Sequence, residues 1–174
     1  NMIIRIIKTL AVFLILVGLT KNINANELKP SDSHQFNFFS GVFDINTSSK
    51  KSSELFGVQH SNEDLFRDTF LGKLSPITGF MMTADSTTYL YTGVQAEYKI
   101  GKLNLTPSFS PGLYSMGDGK DLGSPLEFKS ELQLSVDLRP GTKLGYSQSH
   151  LSNGGLDDKN PGADSYMFNF MKSF

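Results

Sequence analysis

Hydrophobic and polar residues alternate along residues 126–139. The even positions are apolar except for Ser130, and the odd positions are polar or charged. Successive side chains of a β-strand point to opposite faces of a sheet, so this pattern predicts a strand with one apolar and one polar face. The run also exceeds the roughly ten residues that a tilted strand needs to cross a bilayer, which favours a membrane strand over a soluble one.

Segments of this kind recur along the chain, and we count eight. They cover residues 35–45, 53–61, 73–84, 87–99, 103–114, 126–138, 142–152 and 165–174. Their connections are of two kinds: tight at 99–102 and 139–142, and long and glycine-containing at 115–125 and 153–164. Outer-membrane barrels have short periplasmic turns and long extracellular loops. The pattern therefore predicts an all-β fold, an eight-stranded antiparallel transmembrane barrel.

Two features fit this barrel less well. Residues 62–72 form a long connection where a short periplasmic turn is expected. Pro107 and Pro111 interrupt the fifth segment, although a closed barrel offers no free edge where proline is normally tolerated. We interpret both prolines as bulges.

The N-terminus has the pattern of a secretory signal peptide. Arg5 and Lys8 precede the apolar run 10–19, and the small residue Ala25 follows a polar stretch. We expect a signal peptide over residues 1–25 and a barrel domain over residues 26–174. The apolar run is shorter than the ~18 residues of a transmembrane helix, and the alternative is an uncleaved N-terminal anchor.

Composition narrows the functional classes. The net charge is −1, so no basic field indicates a nucleic-acid partner. The chain has no Cys, which excludes disulfides, Cys-containing zinc sites and thiol catalysis. It also has 16 Gly and 14 Phe but no Trp. This composition suits strands with two different faces better than a helical bundle.

The last segment carries an aromatic stripe. Tyr166, Phe168, Phe170 and Phe174 share one parity, and Lys172 interrupts the stripe near the membrane interface. A final strand of this kind ending in Phe is the usual signal read by the barrel-assembly machinery. It predicts a location in the outer membrane of a Gram-negative cell. The alternative is a soluble β-sandwich or a lipocalin-like barrel, in which the apolar face points inward.

Candidate chemistry lies at the last hairpin. His150 and Ser152 are two residues apart and so share a face of their strand. If Ser152 pairs with Asp164 and His150 with Tyr166, then Asp164 lies on the same face. A serine nucleophile needs an adjacent imidazole base, which needs a carboxylate to fix its tautomer. These residues thus predict a triad on the lipid-facing wall at the extracellular end, where only a lipid substrate makes sense.

The loop of this hairpin offers donors for an oxyanion. Asn153, Asn160 and the amides of Gly154 and Gly155 are candidates. The alternative is that His and Ser lie two apart by chance and that the loop is an ordinary Gly/Asn/Asp turn.

Residues 150–155, His-Leu-Ser-Asn-Gly-Gly, are followed by Asn160-Pro161-Gly162 and by an acid fourteen residues after the His. This motif resembles the signature of the lipid A 3-O-deacylase family (PagL-like, often labelled acyloxyacyl hydrolase). Residues 105–114 and 117–123 also resemble members of that family. The resemblance implies an eight-stranded outer-membrane barrel with no cofactor, acting on the lipid A of lipopolysaccharide.

The resemblance also implies roles for individual residues. Ser152 matches the nucleophile, His150 the general base and Asp164 the third member, while Asn160 and the Gly155 amide match the oxyanion hole. The family usually has Glu at the third position, and Asp is shorter by about 1.5 Å. Either the backbone moves closer or a water bridges the contact.

Our hypothesis is an outer-membrane serine esterase that removes an ester-linked acyl chain from lipid A by 3-O-deacylation. We expect it to work as a monomer, without a metal. The alternatives are a small non-catalytic outer-membrane barrel and a phospholipase-type esterase acting on another lipid.

Other polar residues carry weaker signals. We interpret His34 as a surface residue and His60 as structural. Residues 117–123 lack the spacing of a nucleotide-binding loop. Further candidates, each more often merely solvated, are Asp118 or Asp121 for a sugar contact, Asp157 and Asp158 for a cation, and Lys50 and Lys51 for lipid phosphates.

Overall fold

The fold is a closed antiparallel β-barrel, as the alternating pattern predicts. We describe residues 33–45 and 52–174 of a computed structural model. The strands are β1 His34–Phe43, β2 Ser53–Asn62, β3 Arg67–Thr69, β4 Gly72–Thr83, β5 Thr88–Ala96, β6 Tyr98–Ile100, β7 Leu103–Ser115, β8 Leu126–Arg139, β9 Thr142–Ser152 and β10 Ala163–Ser173. The predicted signal peptide and the lysines at 50 and 51 lie outside the described residues.

In the described residues, eight wall-forming strands, which we call staves, make up the barrel. β5 and β6 together form one stave, and the short β3 adds a hairpin to one end of β4. Neighbouring staves follow each other in sequence, and β1 closes the cylinder by pairing with β10 from Gln35↔Ser173 to Val42↔Tyr166. Closure leaves no free edge among the eight strands that form the wall in the described residues, which is what a sheet inside a bilayer requires. In the described part of the chain, no helix is long and apolar enough to span a membrane.

The two faces of the wall differ as predicted. On β8, Leu134 is 44% exposed and Val136 is 38% exposed, whereas Gln133 and Ser135 point inward and are buried. Large apolar side chains from the other staves, among them Phe38, Phe56, Leu90, Phe109 and Phe168, continue the exposed outer band. The wall thus presents hydrocarbon to its surroundings, as a barrel immersed in lipid must.

The interior holds paired polar groups. Lys129 is buried, and its ammonium lies 2.8 Å from Glu131 and 3.9 Å from the centre of the Tyr91 ring. The Asn37 amide donates to Asn169 at 2.9 Å. Buried polar groups are costly unless they are paired. These contacts fill the lumen with polar groups that compensate one another.

One local prediction needs correction. Pro107 and Pro111 do not form bulges, because β7 keeps one register against β8 from Leu103↔Val136 to Leu113↔Leu126. On its other side, pairing with β5 and β6 lapses beside each proline and then resumes in the same register. Proline lacks an N–H, so the ladder loses bonds on that side only. The long connection at 62–72 is present and contains the 3₁₀ helix Glu63–Leu65 and β3.

The alternation of β8 can be tested by spin labelling, since the chain has no native Cys. We expect the single variants Leu134→Cys and Val136→Cys to be relaxed by lipid-soluble oxygen, and Gln133→Cys and Ser135→Cys to be protected. A period near 3.6 residues in oxygen accessibility along this segment would contradict the barrel.

Candidate active site

The hairpin of β9 and β10 brings His150 and Asp164 into direct contact. Nδ1 of His150 lies 2.6 Å from Oδ1 of Asp164, and the two side chains are 38% and 33% exposed. Both project from the outer face of the wall, together with Tyr146, Tyr166 and Phe168. The shorter Asp therefore reaches the imidazole without a bridging water.

The register of the hairpin differs from the predicted one. His150 pairs with Asp164, and Tyr166 pairs with Gln148, so the pairing is shifted by two residues from the expected Ser152–Asp164 pair. β10 begins at Ala163, two residues before the expected start at residue 165, and Ala163 lies opposite Leu151. A shift of two residues keeps each side chain on its face. His150, Ser152 and Asp164 therefore still share the outer face.

The Nε2 edge of the imidazole lies against Gly162, just before β10. A Cβ on Gly162 would lie 3.2 Å from Nε2 of His150, so this nitrogen lies next to Gly162. Gly162 immediately precedes β10. Because Ala163 pairs with Leu151, the same register continued by one residue places Gly162 opposite Ser152. Nδ1 thus contacts the acid, and Nε2 lies next to Gly162, the residue opposite Ser152 in the extended register.

Ser152 stands beside an aromatic surface. Its partner on β8 is Phe128, whose ring stacks on Phe109 at 5.9 Å between centroids. Gly154 also lies against Phe128. An apolar platform of this kind, on the lipid-facing wall and next to a hydroxyl, suits an acyl chain.

Asn153 organises the loop behind the serine. Its side chain is fully buried and donates to the carbonyls of Leu122 and Lys159. Its Oδ1 accepts from the Gly155 N–H at 2.9 Å, and its own N–H donates to Oδ1 of Asn160 at 3.1 Å. The two predicted oxyanion residues are thus held to one another through Asn153. The sequence offers Asn153 as an oxyanion donor but gives no sign that Asn153 is the centre of this network.

An ion pair joins this loop to the preceding long loop, residues 116–125. Lys159 Nζ lies 2.6 Å from Asp121. The hydrogen bonds from Lys159 and from the Gly123 N–H lower the pKa of the Asp121 carboxyl. Asp121, a candidate for sugar contact, is therefore engaged with Lys159 in this structure. Asp157 accepts a hydrogen bond from the Lys159 N–H at 3.4 Å.

Gly162 offers a test of the imidazole's position. Its φ is +65°, and a Cβ would lie 2.8 Å from Cε1 of His150, so Gly162→Ala must push the ring away. Misplacing a catalytic base by about 1 Å costs on the order of 10²-fold in rate. We expect a loss of that order in the hydrolysis of an acyl ester by the folded protein in micelles.

Gly101→Ala is the matched control. Gly101 has a similar φ of +62°, but nothing lies within 4 Å of the added Cβ. This variant should keep its hydrolysis rate. Equal rates for both variants would show that contact between residue 162 and the ring does not matter.

Comparisons with known proteins agree with this fold. The model of the family described as lipid A 3-O-deacylase (PagL) matches residues 55–173. A crystal structure of the outer membrane enzyme PagL aligns with a TM-score of 0.63 at 18% identity, covering 80% of this chain and 99% of that one. A de novo designed transmembrane β-barrel aligns with a TM-score of 0.55 at 11% identity, covering 86% and 100%.

Neisserial surface protein A aligns with a TM-score of 0.51 at 10% identity, covering 84% of this chain and 100% of that one. No curated protein sequence matches the chain. These structural likenesses concern the fold, whereas the family model covers most of the chain. The chain belongs to the lipid A 3-O-deacylase (PagL) family and is an outer-membrane β-barrel.

Proposed function

We propose that this protein is a serine esterase of the outer membrane that hydrolyses the 3-O-linked acyl chain of lipid A. Ser152 is the nucleophile, His150 the general base and Asp164 the residue that positions the base. The observation that carries the proposal is the 2.6 Å contact between His150 and Asp164 on the outer face of the wall. Ser152 lies two residues from His150 on the same face of β9. Family membership supports the reaction class.

The position of these residues favours a lipid substrate. Polar and ionisable groups on a lipid-facing surface are costly, and their presence is by default a sign of function. The hairpin lies at the end of the barrel that carries the long connections 116–125 and 153–162, which is the extracellular end in barrels of this kind. A substrate of the outer leaflet could reach Ser152 laterally, without leaving the membrane.

The proposed reaction has two steps, acylation and deacylation of Ser152. Ser152 Oγ attacks the ester carbonyl carbon while its proton passes to Nε2 of His150, and Asp164 stabilises the resulting imidazolium through Nδ1–H. The tetrahedral intermediate collapses, the C–O bond to the sugar breaks, and His150 returns the proton to the departing alkoxide. Water, deprotonated by His150, then attacks the acyl-enzyme and releases the fatty acid and free Ser152.

The oxyanion needs donors near Ser152. The Asn160 side-chain amide and the Gly155 N–H are the proposed donors. In this structure the Gly155 N–H donates to Asn153, so it would exchange that partner for the oxyanion when substrate binds.

Mass spectrometry of lipid A tests the substrate directly. Expression of the protein in a Gram-negative host should lower the mass of lipid A by one ester-linked acyl chain. Ser152→Ala removes the attacking oxygen and His150→Asn removes the base, so each should cut turnover by at least ~10³-fold. The double variant should be scarcely slower, because the two residues act as one unit.

Heat-dependent migration on gels serves as the folding control, since a folded barrel migrates differently before and after boiling. Unchanged lipid A in the presence of folded protein would contradict the proposed substrate. Activity of the purified protein on phospholipids alone would instead favour the phospholipase-type alternative.

Three substitutions of Asp164 test its role. Asp164→Ala should cost less than Ser152→Ala, since the acid orients the base and does not react. Asp164→Asn should be at least as slow as Asp164→Ala, because the amide can donate to Nδ1 and hold the wrong tautomer. Asp164→Glu should also lose activity, because the Asp already reaches the ring at 2.6 Å and an added methylene would displace it.

Hydrolysis rates over a range of pH provide the measurement. An Asp164→Ala enzyme as active as the wild type would contradict the assignment of this acid, while Ser152 and His150 would keep theirs. Higher activity for Asp164→Glu would show that the backbone adapts to the longer side chain found in the family.

A further inference from the structure

Two histidines that the proposed reaction does not use meet at the opposite end of the barrel. His34 begins β1, and His60 lies near the end of β2. Nδ1 of His34 lies 3.0 Å from Nε2 of His60, and the ring planes are 23° apart. Considered singly in the sequence, the two residues were interpreted as a surface and a structural histidine. In the structure they form a facing pair.

We propose that His34 and His60 form a two-histidine clip that binds a divalent transition metal such as Cu²⁺, Ni²⁺ or Zn²⁺. Imidazole nitrogen is a preferred ligand of these ions. Two nitrogens that each lie about 2.0–2.1 Å from one metal, at the angles of square-planar or tetrahedral sites, are separated by roughly 2.9–3.4 Å. The observed 3.0 Å falls within that range. The nitrogens point at each other across a shared proton, with the ring centroids 5.3 Å apart, so each ring must turn to aim its nitrogen at one ion that replaces the proton.

The barrel wall holds the two strands that carry the clip. β1 and β2 pair without interruption from His34↔Asn62 to Phe43↔Ser53, so the two histidine backbones cannot separate easily. The Phe36 ring packs at 5.0 Å from the His60 ring, and Phe174 packs edge-on against Phe36. The two rings are therefore kept close together before any metal arrives, which lowers the cost of binding.

The clip is open to its surroundings. His34 is exposed and His60 is half-buried, and both lie on the outer face of the wall. Within residues 33–45 and 52–174, no group of three or more His, Cys, Asp or Glu side chains is arranged to hold a metal. Water would complete the coordination, which makes this an exchangeable site with two protein ligands.

The clip is separate from the proposed active site. Ser173 pairs with Gln35, next to His34, and lies nine residues from Asp164 on β10. At about 3.3 Å per residue, the two sites are roughly 30 Å apart along the wall. Substitution of His34 or His60 should therefore leave acyl-ester hydrolysis unchanged.

The chain contains three His in all, which permits a clean assignment. The full chain, purified in detergent without a histidine tag, is titrated with Cu²⁺ near neutral pH and followed by calorimetry and electron paramagnetic resonance. We expect one Cu²⁺ per chain, with two imidazole nitrogens in its spectrum. His34→Asn and His60→Asn should each weaken binding by at least tenfold.

His150→Asn is the matched control, because it removes the remaining histidine and should leave Cu²⁺ affinity unchanged. Heat-dependent gel migration reports whether each variant is folded. Binding by the wild type that is no tighter than that of folded His60→Asn would overturn the proposal. A spectrum with a single imidazole nitrogen would overturn it as well.

Discussion

Closure of the backbone hydrogen-bond ladder is the constraint on which this structure depends. Inside a bilayer no water can satisfy an unpaired N–H or C=O group, so every stave must have two neighbours. β1 meets this requirement by pairing with both β2 and β10. A closed ladder of strands allows only two directions for side chains, toward lipid or toward the lumen. The alternation in sequence, the apolar band and the polar interior all follow from this restriction.

The same restriction explains how three polar residues come together on the wall. Within an antiparallel hairpin, residues of one parity share a face, so His150, Ser152 and Asp164 must all point outward once β9 and β10 pair. The register then sets which two are in contact and gives the short His150–Asp164 distance. The loop held by Asn153 lies behind them, anchored through the Leu122 and Lys159 carbonyls. Rigid strands and a tethered loop hold these groups in place.

The sequence predicts the strands well and the contacts between them less well. The expected segment 142–152 coincides with β9, because period-two alternation is a local signal. The hairpin register depends on where the loop ends, and the predicted start of β10 at residue 165 was two residues late. The assignment of side chains to the outer face is still correct, because the register error is an even number of residues. The expected bulges at the prolines were wrong, because pairing with β8 alone preserves the register of β7.

Contacts between distant parts of the chain had no sequence signal. Asn153 is held by the carbonyl of Leu122, which is 31 residues away, and His34 and His60 are 26 residues apart. Only the closed sheet determines that such residues meet. The position of Gly162 against the His150 ring was likewise hidden, although the Asn-Pro-Gly turn could have suggested that a side chain packs there.

The most direct measurement of the central claim is covalent labelling of the folded barrel with a lipophilic fluorophosphonate, followed by peptide mass spectrometry. Only a serine activated by a neighbouring base reacts quickly with such a reagent. Our account predicts one label per chain, on the peptide containing Ser152, and its loss when His150 is replaced by Asn. Absence of label on folded wild-type protein, under conditions that label a known serine esterase, would contradict it.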